Sequence, residues 1–170
     1  NDDEHYKGAG VAKVELIDDV PHITDRYGEN GIWWNGDEIP KYGDVATYQD
    51  VNSEYIYILG NPPNPITDFP DKLYIYMARV PAKDAFDLDK YEYWWGRQEG
   101  WKSEVLTTFN CETAVMWGVG QGQIVYNNHF QTYFYVHLDL SYPHLDESGE
   151  TLTIGFTNNN WIRVIKVTFT

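Results

Sequence analysis

Only one cysteine, Cys111, stands in the 170 residues, so no disulfide can form within the chain. A lone cysteine in so aromatic a chain is expected to be a small buried apolar residue; a nucleophilic role would need a histidine beside it in space. No apolar run reaches the roughly 18 residues of a membrane-spanning helix, so no membrane partner is expected. Basic residues are scarce too: 12 Lys and Arg stand against 26 Asp and Glu, a net charge of −14. A field of that sign repels phosphate backbones, which makes nucleic acid a poor partner. The chain has no Asn-x-Ser/Thr acceptor, no Gly-x-Ser-x-Gly elbow, no phosphate loop and no paired-cysteine metal motif. Gly118, Gly120 and Gly122 alternate, but they lead into a strand pattern rather than a helix, so a dinucleotide loop fails on context. No cofactor and no bound metal are expected. The first residues, Asn1-Asp2-Asp3-Glu4, carry no visible signal peptide, and a start without Met fits a processed product.

What the chain has in quantity is aromatic side chains, 16% of residues with 14 Tyr and 7 Trp, within an apolar content of 42%. That composition suits one packed domain over residues 1–170. Short runs with a period near two are bounded by turn residues: 11–17, 44–48, 55–59, 72–80, 91–95, 123–126, 132–138, 151–156 and 162–168. Asn61-Pro62-Pro63-Asn64-Pro65 lacks three backbone donors and is expected as an exposed loop. One helical turn is expected near Asp84-Ala85-Phe86. Roughly ten evenly spaced strands predict an all-β sandwich, barrel or propeller.

Four ordered segments carry a resemblance. They are Tyr42-Gly43-Asp44-Val45-Ala46-Thr47 with Tyr55-Ile56-Tyr57-Ile58-Leu59-Gly60 and Tyr76-Met77-Ala78-Arg79-Val80-Pro81; Asp84-Ala85-Phe86-Asp87-Leu88 with Tyr91-Glu92-Tyr93-Trp94; Trp117-Gly118-Val119-Gly120-Gln121-Gly122-Gln123; and Leu145-Asp146-Glu147-Ser148-Gly149 with Phe156-Thr157-Asn158-Asn159. In this order, from Tyr42 onward, the chain resembles fungal secreted glycosyl-hydrolase-like β-propeller proteins, distantly similar to the five-bladed propellers of arabinanases and fructosidases. The resemblance implies a propeller-like fold and a secreted protein acting on carbohydrate. A five-bladed propeller needs roughly 300 residues at four strands per blade, so these strands amount to two or three blades, and a second chain or segment would complete them. A β-sandwich or jelly roll is the alternative architecture.

In such propellers carboxylates project from inner strands into a central funnel, and hydrolysis needs two of them. The resemblance puts Asp44 in that place; otherwise it is a strand-initiating Asp that caps a turn. Glu112 is the second candidate, because the nearly uncharged Thr113-Ala114-Val115-Met116-Trp117 follows it and apolar surroundings suit a general acid. His144, which the resemblance sets on an inner strand, could instead serve with a Tyr as the base of a polysaccharide lyase, as could His129. His137 with Asp139 and His144 with Asp146 repeat one spacing, but solvated or hydrogen-bonded histidine is the commoner explanation. Gln121 and Gln123 share one strand face and could bind sugar hydroxyls. Trp33, Trp34 and Trp117 are the tryptophans expected at ligand, since apolar sugar faces stack on indoles; most of the seven should pack between sheets. The resulting expectation is a secreted glycoside hydrolase with paired carboxylates, the alternatives being a lectin-like glycan-binding module without catalysis and a lyase.

Overall fold

A computed structural model describes residues 6–49, 53–117, 121–137, 140–141, 148, 150–158 and 161–168. The chain is all-β. Its strands are β1 Gly8–Ala9, β2 Ala12–Ile17, β3 Val20–Arg26, β4 Trp34–Asn35, β5 Lys41–Gln49, β6 Tyr55–Asn61, β7 Tyr74–Pro81, β8 Glu92–Trp94, β9 Trp101–Lys102, β10 Met116–Trp117, β11 Gly122–Asn127, β12 Thr132–His137, β13 Leu140–Ser141, β14 Thr151–Asn158 and β15 Trp161–Thr168. Among the described residues helix is limited to three single 3₁₀ turns, at Asp71–Leu73, Ala82–Asp84 and Leu88–Lys90. Among the described residues no helix is long and apolar enough to cross a membrane.

The strands form several antiparallel sheets, and none is a closed barrel. The main sheet runs β5-β6-β7-β8-β9, with β10 added beside β7; β2-β3, β11-β12 and β13-β14-β15 are separate hairpins or meanders. Period-two alternation sends successive side chains of the main sheet to opposite faces, and both faces are packed. Trp34, Tyr42, Ile58, Tyr76, Ala78, Val80, Tyr91, Tyr93 and Leu106 form the buried cluster on one side. Val45, Ala46, Leu59 and Ile75 form a smaller one on the other, against Met77, Val115, Met116, Ile124 and Tyr135. A bulge in β5 links the two: pairing passes from Tyr42↔Gly60 to Ala46↔Leu59, with Gly43 at φ +103°.

One strand lies outside the expected runs, and two local expectations are corrected. The stretch after Ile17 is a second strand, because Asp18 and Asp19 (φ 52° and 62°) make the doubly left-handed turn that closes a tight hairpin. The proline loop is not wholly exposed: Pro62 and Pro63 are buried. Asn64 docks it, its N–H donating to Gly36 O (2.8 Å) and its Nδ2 to Tyr6 O (2.8 Å) and Asp37 Oδ1 (2.9 Å). Proline has no N–H to leave unsatisfied, so it is buried there with half the backbone demand of another residue. Finally, Cys111 is exposed, at the tip of a turn.

Candidate functional site

An open cleft of about 830 Å³ with convergent polar groups lies beside β7, β8 and β9. Two loops make its walls. The first joins β8 to β9: Trp95 N–H donates to Gly100 O (2.9 Å) and Gly100 N–H to Gly96 O (2.8 Å), and both glycines have left-handed φ, +92° and +70°. Arg97, Gln98 and Glu99 are thereby held out at the loop tip. The second wall is the turn Asn110-Cys111-Glu112-Thr113. Asn110 Oδ1 accepts from the N–H groups of Glu112 (2.9 Å) and Thr113 (3.3 Å), and the buried Thr113 hydroxyl donates to Thr108 O (2.8 Å). This Asx turn supplies from side chains the bonds that a non-repeating backbone lacks. Val115 N–H then donates to Ile75 O (2.9 Å), and β10 pairs with β7 through Met116↔Ile75 and Trp117↔Tyr74. Gly96 packs so closely under the second wall that a Cβ there would lie 2.4 Å from Glu112 O.

Four tryptophans line this cleft: Trp94, Trp95, Trp101 and Trp117. Trp94 and Trp101 face each other across the β8–β9 pair with ring centroids 5.3 Å apart. Trp95 donates from Nε1 to Glu104 O (2.9 Å), and Lys102 Nζ sits 4.8 Å from the Trp95 ring centroid while also pairing with Glu99. Trp117 is 61% exposed. Indole faces together with Arg97, Gln98, Glu99, Asn110 and Glu112 give a surface that is apolar in patches and rich in donors and acceptors.

The expected site residues fall in different places. Glu112 and Trp117 share the cleft. Glu112 is exposed on its turn, not walled by the apolar residues that follow it. Asp44 is not among the cleft's lining residues. It sits in the β5 bulge, where Asn61 holds both carboxylate oxygens: the backbone N–H donates to Oδ1 (3.0 Å) and Nδ2 to Oδ2 (3.1 Å). Burial raises the Asp44 carboxyl above the ordinary carboxylate range, while the Asn61 bonds and Lys41 oppose that rise. Burial also raises the hydroxyls of Tyr6 and Tyr135, and the charge of Asp44 adds to both. Trp34 is 2% exposed, donates from Nε1 to Tyr93 Oη (3.0 Å) and packs edge-on against Trp33, Tyr42 and Tyr91. Trp33 and Trp34 border a separate recess of about 300 Å³ with Leu88 and Val105. Gln121 is exposed ahead of β11; Gln123 lies within β11, opposite Val136. His129 is exposed in the β11–β12 turn with its ring against Phe130 (4.8 Å). His144 and Asp146 lie outside the described residues, as do Gly118, Val119 and Gly120.

Trp94, Trp95, Trp101, Glu99 and Asn110 were not singled out from the sequence as site residues. The signal was present as Trp94-Trp95-Gly96 and Gly100-Trp101, a glycine-bracketed loop with aromatic residues on both flanks. Among the described residues no three His, Cys, Asp or Glu side chains gather as metal ligands. No family model matches the chain, and no curated protein matches it.

Proposed function

We propose that this is a secreted carbohydrate-binding protein whose ligand lies in the four-tryptophan cleft. The observation that carries the reading is the convergence of Trp94, Trp95, Trp101 and Trp117 with Arg97, Gln98, Glu99, Asn110 and Glu112 in one open cleft. Sugars offer apolar C–H faces to indoles and hydroxyls to amides, carboxylates and guanidinium groups, so they need this mixture. Binding to a panel of soluble polysaccharides, measured by affinity electrophoresis, tests it. Trp94→Ala and Trp117→Ala should each weaken binding about tenfold while the melting temperature stays within a few degrees. Binding that is absent for every glycan, or unchanged in both variants, rejects the cleft as a sugar site.

Hydrolysis is the second reading, favoured by the presence of two carboxylates, Glu99 and Glu112, in the same cleft. A glycosidase needs an acid and a base or nucleophile on either side of the scissile bond. Glu112→Gln should then abolish turnover and spare binding. Asp44, tied to Asn61, serves the β5 bulge in this reading.

The propeller architecture belongs to the same proposal. The main sheet connects β5 to β9 in sequence order and buries apolar clusters on both faces, as a blade between two neighbours would. The β2–β3 hairpin, with Val14, Leu16 and Ile23 each more than half exposed, supports a further segment or chain completing the structure.

A further inference from the structure

The aromatic surface does not stop at the cleft. Trp94 and Trp101 belong to the cleft and also to one face of the main sheet, where a row of rings continues across it. From Trp101 the next ring is Tyr57 on β6, with centroids 6.2 Å apart, and from Tyr57 the next is Tyr55 at 6.3 Å. All four residues are half-buried.

Arg79 fixes this row. Its guanidinium lies between two rings, 4.3 Å from the Tyr55 centroid and 4.2 Å from that of Trp101. Its Nε donates to Glu92 Oε2 at 2.8 Å. The cation is thus neutralised by Glu92 and covered by aromatic faces, so the row is a rigid and locally uncharged strip. A row of single exposed aromatic residues would need no explanation, whereas four successive rings held by one stacked ion pair and running out of a cleft form a continuous surface. Because the guanidinium touches both rings, Tyr55 and Trp101 lie within about 8.5 Å of each other, so Tyr55, Tyr57 and Trp101 form a compact patch around Arg79, with Trp94 next to Trp101 on the cleft side.

We infer that the Trp94–Trp101–Tyr57–Tyr55 strip is an extension of the cleft that takes further residues of an uncharged polysaccharide chain, making the ligand an extended polymer rather than a mono- or disaccharide. This rests on the carbohydrate reading of the cleft. The strip offers stacking faces and no free charge, so it suits neutral sugar units and gives nothing to a uronate.

The test compares chain lengths. The probes are β-glucan, xylan, arabinan, galactomannan and polygalacturonate, then the disaccharide and hexasaccharide of whichever polymer binds, titrated by calorimetry. The expected result is a neutral polymer as ligand and a hexasaccharide bound about tenfold or more tighter than the disaccharide. Tyr57→Ala should remove that gain and leave disaccharide affinity unchanged, while Tyr57→Phe retains it; Tyr55→Ala is the second variant, should Tyr57→Ala fail to fold. Equal affinity for disaccharide and hexasaccharide, no effect of the substitutions, or preference for polygalacturonate overturns the strip and leaves the cleft reading standing. If no probe binds at all, the carbohydrate reading fails and the strip falls with it.

Discussion

The chain contains the dipeptide Trp-Trp twice, as Trp33-Trp34 and Trp94-Trp95, each followed within two residues by glycine, and the two copies have opposite fates. Trp34 lies in the core, its indole N–H given to a buried tyrosine and its ring surrounded by Trp33, Tyr42 and Tyr91. Trp94 and Trp95 end a strand whose loop turns back at Gly96, so their rings face a cleft, and Trp95 gives its N–H to the carbonyl of Glu104. One indole of each pair, Trp34 and Trp95, has its N–H satisfied within the protein. Trp95, like Trp33, packs against the same buried cluster as Trp34, so the contrast is between Trp34 and Trp94, and what separates these two is the layer above. The N-terminal segment, Leu88 and Leu106 cover the first sheet face, while the second face is covered only in part by Val115, Met116, Ile124 and Tyr135. Residue type therefore says that an indole will be used, and the neighbouring layer says for what.

The contrast can be broken most forcefully at the core. Trp34→Ala should cost about 3–5 kcal/mol in chemical denaturation, the range for deleting a large aromatic core residue, whereas Trp94→Ala should cost far less stability and act mainly on binding. Comparable stability losses at the two positions would show that the cleft tryptophan is a core residue after all. Next in size is Gly96. A Cβ there meets the carbonyl of Glu112 at a φ of +92°, while at Gly100 (φ +70°) nothing lies within 4 Å. Gly96→Ala should therefore cost about 1–3 kcal/mol and displace the 110–113 wall, lowering ligand affinity. Gly100→Ala should carry backbone strain alone, about 1–2 kcal/mol, with affinity retained. Equal effects on affinity would remove the contact between Gly96 and Glu112 from the account of the cleft.

The smallest expected effect is at Asp44. Its carboxyl titrates higher in the folded chain than in the unfolded one because burial disfavours the charge. The folded state thus holds the proton more tightly. Stability from this group is full below the ordinary carboxylate value and is lost as pH rises through the folded value. Asp44→Asn keeps one acceptor for Asn61 and removes the titration, so urea midpoints measured across the weakly acidic range should fall less with rising pH than in the parent. Identical pH slopes would mean that the Asn61 bonds and Lys41 cancel the effect of burial, and a change of the opposite sign that they outweigh it.

Strand positions were largely legible because a period of two and turn residues report local geometry: 55–59 is found within β6, 123–126 within β11 and 151–156 within β14. Pro62 and Pro63 were misread because burial depends on what packs above them, here Asn64 docked on Gly36, Asp37 and Tyr6. Cys111 was misread for the same reason, since a turn capped by Asn110 carries it outward. Of the expected site, Glu112 and Trp117 lie in one cleft and Asp44 outside it. No sequence pattern could have separated them, because they are 68 positions apart, 112 − 44, and their distance is set by sheet pairing.

By itself, the sequence determined that the chain is all-β, acidic and built on aromatic pairs, because those properties follow from alternation, turn chemistry and charge along the chain. Only the tertiary structure decided which tryptophans are core and which are surface. Each indole can pack against protein or ligand with similar chemistry, and the choice belongs to the layer that does or does not cover it.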